Sequence, residues 1–313
     1  MAGTRVAIFV DEPDWHSRRL AAAFQRRGVV VVPVSLRACG FDTSTRSGLI
    51  LPGSEGTLPD AAFVRQISAG SFEQVTMRLG VLHALRELGV FVYNDARVAE
   101  RCVDKSMTSF LLHRHGIPTL PTWTMESPDH VRALVEREAA PDRPLVLKPL
   151  FGSQGCGLRL VTGAGDLPPA EEIAGVYYVQ RYAGPLRGGW RDWRVFVVGA
   201  QAVAAMIRHG VEWRTNAARG ARCESTSATG EIAELAVAAA KAVGAGYAGV
   251  DIIADEGGRL HVLEVNSMPA WKALQTVTRI DIADLLAADL LSRIAETQET
   301  HPAAAALCGA AGR

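Results

Sequence analysis

The chain has 313 residues, of which 48% are hydrophobic, so it is long enough to form two or three compact units. Its 33 basic and 33 acidic residues cancel, which argues against nucleic acid as the main partner and against a membrane surface. The five cysteines are scattered without disulfide or zinc spacing. Asp11 interrupts the N-terminal apolar run before a signal peptide could form, so we expect a cytoplasmic protein.

The first third of the chain alternates strands with helices. Strands are expected over residues 5–10, 29–34 and 90–93. Helices are expected over residues 14–27 and from a capping box at Ser71 and Gln74 to Leu88. Such alternation predicts a parallel α/β domain, which we place at residues 1–98.

Strands dominate the rest of the chain. Capping residues predict helices that begin at Asp104 and Ser127, and further helices are expected over residues 230–243 and 281–296. The strands are expected over residues 145–148, 158–161, 176–182, 193–198 and 201–208, followed by a hairpin after residue 248. The Ala- and Gly-rich end, residues 299–313, is predicted to be a mobile tail.

The hairpin carries the strongest chemical signal. Glu264 and Asn266 are two residues apart on an extended run, so they share one face of a strand. If Gly257 and Gly258 form a two-residue loop with positive φ at both positions, Asp251 lies opposite Glu264. Two carboxylates about 4 Å apart repel by roughly 4 kcal/mol at an effective dielectric constant of about 20.

A cation between these carboxylates would remove the repulsion. Asp251, Glu264 and Asn266 offer the hard oxygen atoms that Mg²⁺ prefers when it also binds substrate phosphates, and Mn²⁺ stays open as the alternative ion. From spacing alone, two unrelated acids at the ends of buried strands remain the other interpretation.

A second signal is the run from Lys148 to Gly157, in which a lysine ends a strand and a glycine-rich loop follows. Glycines let backbone amides approach a polyphosphate, and the lysine adds a positive charge. The run is not a Walker A loop, because neither Gly-Lys-Ser/Thr nor a helix follows. Taken alone, an ordinary flexible hairpin is an equally good interpretation.

The G-x-G-x-x-G at Gly244–Gly249 follows a helix and enters a strand, which is the wrong order for a dinucleotide fold.

The order of these segments resembles the ATP-grasp superfamily, and in detail its RimK-type carboxylate-amine ligases, which join glutamate to a carboxylate. The resemblance extends from about Arg65 to Ala283. The matching segments are Asp104-Lys105, Leu147-Lys148, Gly152 to Gly157, Val179-Gln180, Asp192 to Arg194, Arg214 to Asn216 with Arg219, Gly249 to Asp251, and Glu264 to Asn266.

This resemblance implies an α/β protein with an ATP-grasp fold, in which two α+β subdomains clasp ATP after an N-terminal parallel α/β domain. We place the subdomains at residues 99–183 and 184–298. The implied ATP contacts are Lys105, Lys148, Gly152, Ser153, Gln154, Gly155, Gly157, Gln180, Arg181, Tyr182 and Asp192, of which Gln180 to Tyr182 would form the hinge that contacts adenine. The implied acyl and amine site comprises Arg194, Arg208, Arg214 and Asn216, and the implied cofactors are ATP and Mg²⁺.

The implied function is an ATP-dependent ligase that adds L-glutamate, or a similar amino acid, to a small-molecule carboxylate through an acyl phosphate. From Asn266 the chain reads Asn-Ser-Met-Pro-Ala-Trp271, where many RimK-type enzymes have Asn-x-Ser-Pro-Gly, and Arg181 replaces an acidic hinge residue. The sequences of residues 65–74 and 78–85 resemble those of relatives that glutamylate pterin coenzymes such as tetrahydromethanopterin. Modification of a protein or peptide C-terminus, and ATP binding without turnover, stay open, as does a homo-oligomeric state.

Overall fold

The computed structural model describes residues 3–54, 56–152, 155–216 and 220–300. Ser153, Gln154, Arg219 and the tail beyond Thr300, all named in predictions from the sequence, lie outside the described residues. Among the described residues, 3–99, 270–272 and 281–300 belong to one compact unit, here called unit 1. Residues 100–269 and 273–280 belong to a second, here called unit 2.

Unit 1 is built on a parallel sheet. Its strands are β1 (Arg5–Phe9), β2 (Val30–Val34), β5 (Ala61–Val64) and β6 (Phe91–Tyr93), and β3 (Gly40–Phe41) and β4 (Leu49–Ile50) form a separate antiparallel pair. The sheet order is β2-β1-β5-β6, with every neighbouring pair parallel. The helices are α1 (Trp15–Gln25), α2 (Phe72–Glu87) and α8 (Ile282–Thr300), and α3 (Ala96–Val103) begins in unit 1. The predicted parallel α/β organisation is confirmed.

Local sequence explains where these helices begin. Asp14 and Ser17 form a capping box at the start of α1, and Ser71 and Gln74 form the predicted capping box at α2. Gly28 follows α1 with a φ of 73°, a conformation that a side chain would strain. Buried apolar side chains of β1 and β5 then form the centre of unit 1.

Unit 2 contains two antiparallel sheets. The first has the order β7-β10-β8-β9 and consists of β7 (Thr122–Met125), β8 (Leu145–Lys148), β9 (Arg159–Val161) and β10 (Tyr177–Arg181). The second has the order β13-β12-β11-β14-β15 and consists of β11 (Arg191–Val198), β12 (Gln201–His209), β13 (Arg222–Thr226), β14 (Tyr247–Ala254) and β15 (Leu260–Asn266). The helices are α4 (Lys105–Arg114), α5 (Pro128–Glu138), α6 (Glu231–Val243) and α7 (Lys272–Gln275), the last of which begins in unit 1.

Each sheet of unit 2 has its own hydrophobic core. Side chains of α5 pack on the first sheet, and α6 packs on the second together with Leu112 of α4. None of the helices that the structure describes is long and apolar enough to cross a membrane.

The hairpin between β14 and β15 differs from its predicted form. The strands end at Ala254 and Leu260, so the loop has five residues, and Gly258 has a positive φ of 81° whereas Gly257 does not. The side chain of Asp255 holds this loop, because its Oδ1 accepts from the backbone of Gly257 and Arg259. A bulge between Asp251 and Ile252 shifts the register by one residue, so Asp251 still pairs with Glu264 as predicted.

Residues 184–298 were expected to form one subdomain, but the structure assigns part of this range to unit 1. Trp271 is fully buried there, with its ring 4.6 Å from that of His16. Helix α8 packs in the same unit, where Asp284 forms an ion pair with Arg27 at 2.5 Å. Long-range packing therefore returns these two segments to unit 1, and the predicted split of residues 99–183 from 184–298 stays a prediction.

Candidate active site

The antiparallel register of the second sheet of unit 2 brings five predicted site residues onto one face. Asp192 pairs across the strands with Arg208, and Arg194 pairs with Asp251. Asp251 in turn pairs with Glu264 on β15. Directly paired residues point to the same side of a sheet, so these side chains converge although they are far apart in sequence.

These side chains form a buried ladder of ion pairs. Arg208 Nε donates to Asp192 Oδ1 at 2.7 Å, and its Nη2 lies 3.1 Å from Asp251 Oδ2. Arg194 Nε donates to Asp251 Oδ1, and Arg194 Nη2 donates to Oδ2 at 2.8 Å. Burial alone would raise the pKa of Asp251, but Arg194 and Arg208 outweigh it and hold that pKa far below its usual value. Asp251 is therefore a carboxylate at neutral pH.

The metal donors predicted from the sequence lie at the end of this ladder. Glu264 lies within hydrogen-bonding range of Asp251, and Asn266 Nδ2 donates to Glu264 Oε1 at 3.1 Å, which leaves the amide oxygen of Asn266 as its ligand atom. Within the described ranges, no group of three or more His, Cys, Asp or Glu side chains could hold a metal ion. Two carboxylates and an amide suit Mg²⁺, which takes few protein ligands when phosphates and waters complete its shell.

Two lysines of the same unit come from outside this sheet, one from a strand of the first sheet and one from a helix. Lys148 ends β8, and its Nζ donates to Gln180 Oε1 at 2.7 Å. Lys105, in the first turn of α4, donates from Nζ to the carbonyls of Leu150 and Gly152 at 3.2 and 3.0 Å. Burial lowers the pKa of Lys148 to about 8, and burial also lowers the pKa of Lys105. Because burial leaves these ammonium groups little water, an anion that enters the site strongly stabilises their charged form.

The glycine-rich segment continues from Lys148 towards β9. Gly155 and Gly157 have φ values of 69° and 71°, and a Cβ on Gly157 would lie 2.7 Å from Pro149 Cγ. Only glycine fits at position 157 without a shift of the backbone. The bonds from Lys105 hold this segment by two of its carbonyl oxygens.

The loop after β12 adds a third cation. Arg214 Nη2 donates to Glu212 at 3.0 Å, whereas Arg214 Nε is buried without a hydrogen-bond partner in the part of the chain that the structure describes. Thr215 Oγ1 donates to Asp192 Oδ2 at 2.6 Å and so anchors the loop to the ion-pair ladder. A buried orphan donor beside a cleft suits an incoming anion, because leaving it unpaired costs free energy.

One cleft in unit 2 collects most of the predicted site residues. The following predicted residues line it: Lys105, Lys148, Gly152, Gly155, Gln180, Arg181, Tyr182, Asp192, Arg208, Arg214, Asn216, Asp251 and Glu264. Arg194 and Asn266 lie behind the cleft, where they form hydrogen bonds with Asp251 and Glu264, respectively. Gly157 is exposed beside Pro149 and does not line the cleft. Apart from Arg181, which pairs with Glu138, four basic and three acidic residues line the cleft, and this excess of positive charge favours a polyanionic ligand.

The structure also shows contacts that were not predicted. Thr215 lies inside the matching segment Arg214 to Asn216, so its position in that segment was an available signal. Leu263 lines the cleft because the bulge leaves it unpaired between Val262 and Glu264, and no sequence pattern indicated this. Arg181 is turned towards α5, where its guanidinium donates to the carbonyl and carboxylate of Glu138 at 2.7 and 2.6 Å.

Comparison with known proteins agrees with this geometry. The model of the RimK-like ATP-grasp domain family matches residues 102–290. The chain belongs to this family. A tetrahydromethanopterin:alpha-L-glutamate ligase of Methanococcus maripaludis is 32% identical over 296 residues, which cover 92% of this chain and 98% of that protein. A probable alpha-L-glutamate ligase 1 of Shewanella amazonensis is also 32% identical, over 295 residues and 91% of this chain and 94% of that protein.

A solved structure shows the same fold. The ATP-grasp ligase PsnB, in complex with a phosphomimetic variant of its minimal precursor, Mg and ADP, superposes with a TM-score of 0.72. The match covers 93% of this chain and 99% of that one, at 21% sequence identity. The predicted family, the ATP-grasp fold and the class of ATP-dependent ligase are confirmed.

Proposed function

We propose that this RimK-like ATP-grasp protein joins L-glutamate to the carboxylate of a small molecule, with ATP cleaved to ADP and phosphate. The observation that carries the proposal is one cleft that is lined by Lys105, Lys148 and Arg214 together with Asp251 and Glu264. Two relatives that are 32% identical over nearly their whole length are named a tetrahydromethanopterin:alpha-L-glutamate ligase and a probable alpha-L-glutamate ligase 1. We propose a pterin of that type as the acceptor.

The proposed reaction has two steps. A carboxylate oxygen of the acceptor attacks the γ-phosphorus of ATP, the bond to ADP breaks, and an acyl phosphate forms. The amine of glutamate then attacks the acyl carbon, loses a proton, and expels phosphate to leave an amide. Because carboxylate oxygen is a poor leaving group and phosphate a good one, the first step makes the second possible.

The side chains divide into three groups in this scheme. Lys105 and Lys148 neutralise charge on the ATP phosphates, under the glycine-rich segment. Asp251, Glu264 and Asn266 hold Mg²⁺, which supplies further neutralisation of the transferring phosphoryl group when bound. Arg208, Arg214 and Asn216 face the acyl phosphate and the amine, whereas Arg194 acts through Asp251, to which it bonds behind the cleft. The unpaired Nε of Arg214 is the donor offered to the oxyanion.

The test is a reaction with defined substrates. Purified protein, ATP and Mg²⁺ are incubated with L-glutamate, D-glutamate, L-aspartate or L-glutamine and with pterin carboxylates of the tetrahydromethanopterin type. We expect ADP and phosphate in equal amounts and a product heavier by one or more glutamyl residues. An acceptor labelled with heavy oxygen in its carboxylate should transfer one labelled oxygen to phosphate.

The controls distinguish the ligase activity itself from the identity of its substrates. Lys148→Met should lose product while it keeps the fold. ATP-dependent amide formation with another amino acid or acceptor would replace the proposed substrates but keep the ligase. Absence of ADP formation with every pair, from a folded protein, would contradict the proposed function.

A further inference from the structure

Gln180 connects Lys148 to the edge of its sheet through hydrogen bonds. The residue lies on β10, between β8 and β7, and pairs with Val146 on one side and Thr122 on the other. Its side chain is 1% exposed, so water does not compete for its polar atoms. The resemblance to the family suggested contact with adenine, but the structure gives both polar side-chain atoms partners inside the protein.

The chemistry of the partners fixes which way the amide points. An ammonium group only donates, so Oε1 of Gln180 faces Lys148 Nζ, at 2.7 Å. Nε2 therefore faces Thr122 and donates to its Oγ1 at 3.1 Å. That hydroxyl can accept because its own proton goes to the carbonyl of Leu120, at 2.9 Å. Each donor in this series of hydrogen bonds meets an acceptor. Rotating the amide of Gln180 by half a turn would place its NH₂ group against the ammonium of Lys148.

A lysine needs such a partner to hold one position. Its four-carbon stem is flexible and its charge is a point without a preferred direction, unlike the fork of arginine. Lys148 forms no ion pair within 4.0 Å among the described residues, and its bond to Gln180 is the hydrogen bond the structure gives its ammonium. The rigid strands β7 and β10 carry the two residues that fix this bond.

We propose that Gln180 is a positioning residue, which aims the ammonium of Lys148 at the ATP phosphates, and that Thr122 sets the orientation of Gln180. The inference rests on the proposed function, in which Lys148 contacts ATP. It assigns the side chain of Gln180 to the lysine and not to adenine, and it gives Thr122, which no motif indicated, a part in nucleotide binding.

A double-mutant cycle tests whether Gln180 acts through Lys148. Gln180→Met keeps the length of the side chain and removes both hydrogen bonds, and Lys148→Met removes the ammonium. The dissociation constant of ATP with Mg²⁺ is measured by calorimetry for the whole protein, the two single variants and the double variant, without acceptor. We expect Gln180→Met to weaken ATP binding about tenfold alone, but less than about twofold in the Lys148→Met background.

Substitutions of Thr122 provide a second test of the same design, with a smaller expected effect. Thr122→Val removes the hydroxyl at almost constant volume and should weaken ATP binding severalfold, again only when Lys148 is present. Thr122→Ser restores the hydroxyl and should bind ATP like the unmodified protein. Thr124→Val is the matched control, because Thr124 is exposed on the same strand. This arm carries the test if Gln180→Met does not fold, which melting curves of every variant will show.

The outcomes separate this inference from the function beneath it. If Gln180→Met and Thr122→Val weaken ATP binding by the same factors with and without Lys148, the two residues act on the nucleotide by another route and the inference is wrong, while the ligase function stands. If Lys148→Met leaves ATP affinity unchanged, both the inference and the proposed role of Lys148 are wrong.

Discussion

Glu264 lies where the second sheet of unit 2 meets the cleft, opposite Asp251 and bonded to Asn266. Glu264→Gln preserves the shape of the side chain and an oxygen that can accept from Asn266, but removes one negative charge from the proposed metal site. We expect product formation at saturating ATP to fall at least on the order of 100-fold, with an unchanged melting temperature.

Steady-state assays over a range of Mg²⁺ concentrations provide the measurement. Glu256→Gln is the matched control, because Glu256 is exposed in the loop of the same hairpin. Near-normal turnover in a well-folded Glu264→Gln variant would rule out the metal assignment.

Lys148 predicts a pH dependence of ATP binding. Burial lowers its pKa to about 8 in the free protein, and bound phosphates would raise that pKa. Below pH 8 the lysine carries its proton in both states, so the full affinity is present. Above pH 8 binding requires uptake of a proton, so affinity should fall by up to about tenfold per pH unit, until the pH reaches the pKa of the complex.

Calorimetry in buffers of different ionisation enthalpy measures both the affinity and the proton uptake. Lys148→Arg should abolish the uptake, because a guanidinium stays charged throughout this range. Equal proton uptake in the two proteins would assign the titration to another group.

The glycine-rich segment is the element that we expect to cover the ATP phosphates. Gly157 combines a φ of 71° with a Cβ position 2.7 Å from Pro149, so Gly157→Val must displace the backbone of the segment. We expect turnover to fall on the order of 10-fold to 100-fold, because small displacements of positioning groups are costly. The melting temperature should change little, since the residue is exposed.

Gly163→Ala is the control for this element. Gly163 has an extended backbone and no atom within 4 Å of an added Cβ, so the variant should behave normally. A Gly157→Val protein that unfolds easily but keeps its ATP affinity and turnover would show that the segment is only structural.

At the scale of the whole molecule, unit 1 depends on a residue that is distant in the sequence. Trp271 is fully buried there, between His16 and the guanidinium of Arg65, whose central carbon is 5.2 Å from the ring centroid. The backbone amides of Trp271 and Lys272 also donate to His16 Nε2 at 3.2 and 3.3 Å. Trp271→Ala should therefore destabilise unit 1 by about 3–5 kcal/mol.

Hydrogen exchange and limited proteolysis locate this effect. Protection should fall within residues 3–99 in Trp271→Ala. Trp123→Ala, which removes a ring packed against the core of the first sheet of unit 2, should lower protection in that sheet. Loss of protection confined to unit 2 in Trp271→Ala would contradict the assignment of Trp271 to unit 1.

The sequence by itself determined the local elements, the family and the pairing of two carboxylates. Caps at Asp14, Ser71, Asp104 and Ser127 are visible because a capping side chain bonds to amides two or three residues away. Asp251 and Glu264 were predictable as a pair because one short hairpin joins them. That prediction succeeded although the loop was wrong, since a bulge restored the expected register.

Only the tertiary structure decided how the charges are paired and which unit each late segment joins. The bonds of Arg208 to Asp192 and of Arg194 to Asp251 depend on the register of strands that are up to 57 residues apart. The amide of Gln180 and the burial of Trp271 likewise depend on partners brought together by the packing of whole sheets. Local sequence carries no signal for such contacts, because their free energy exists only once the distant partner is in place.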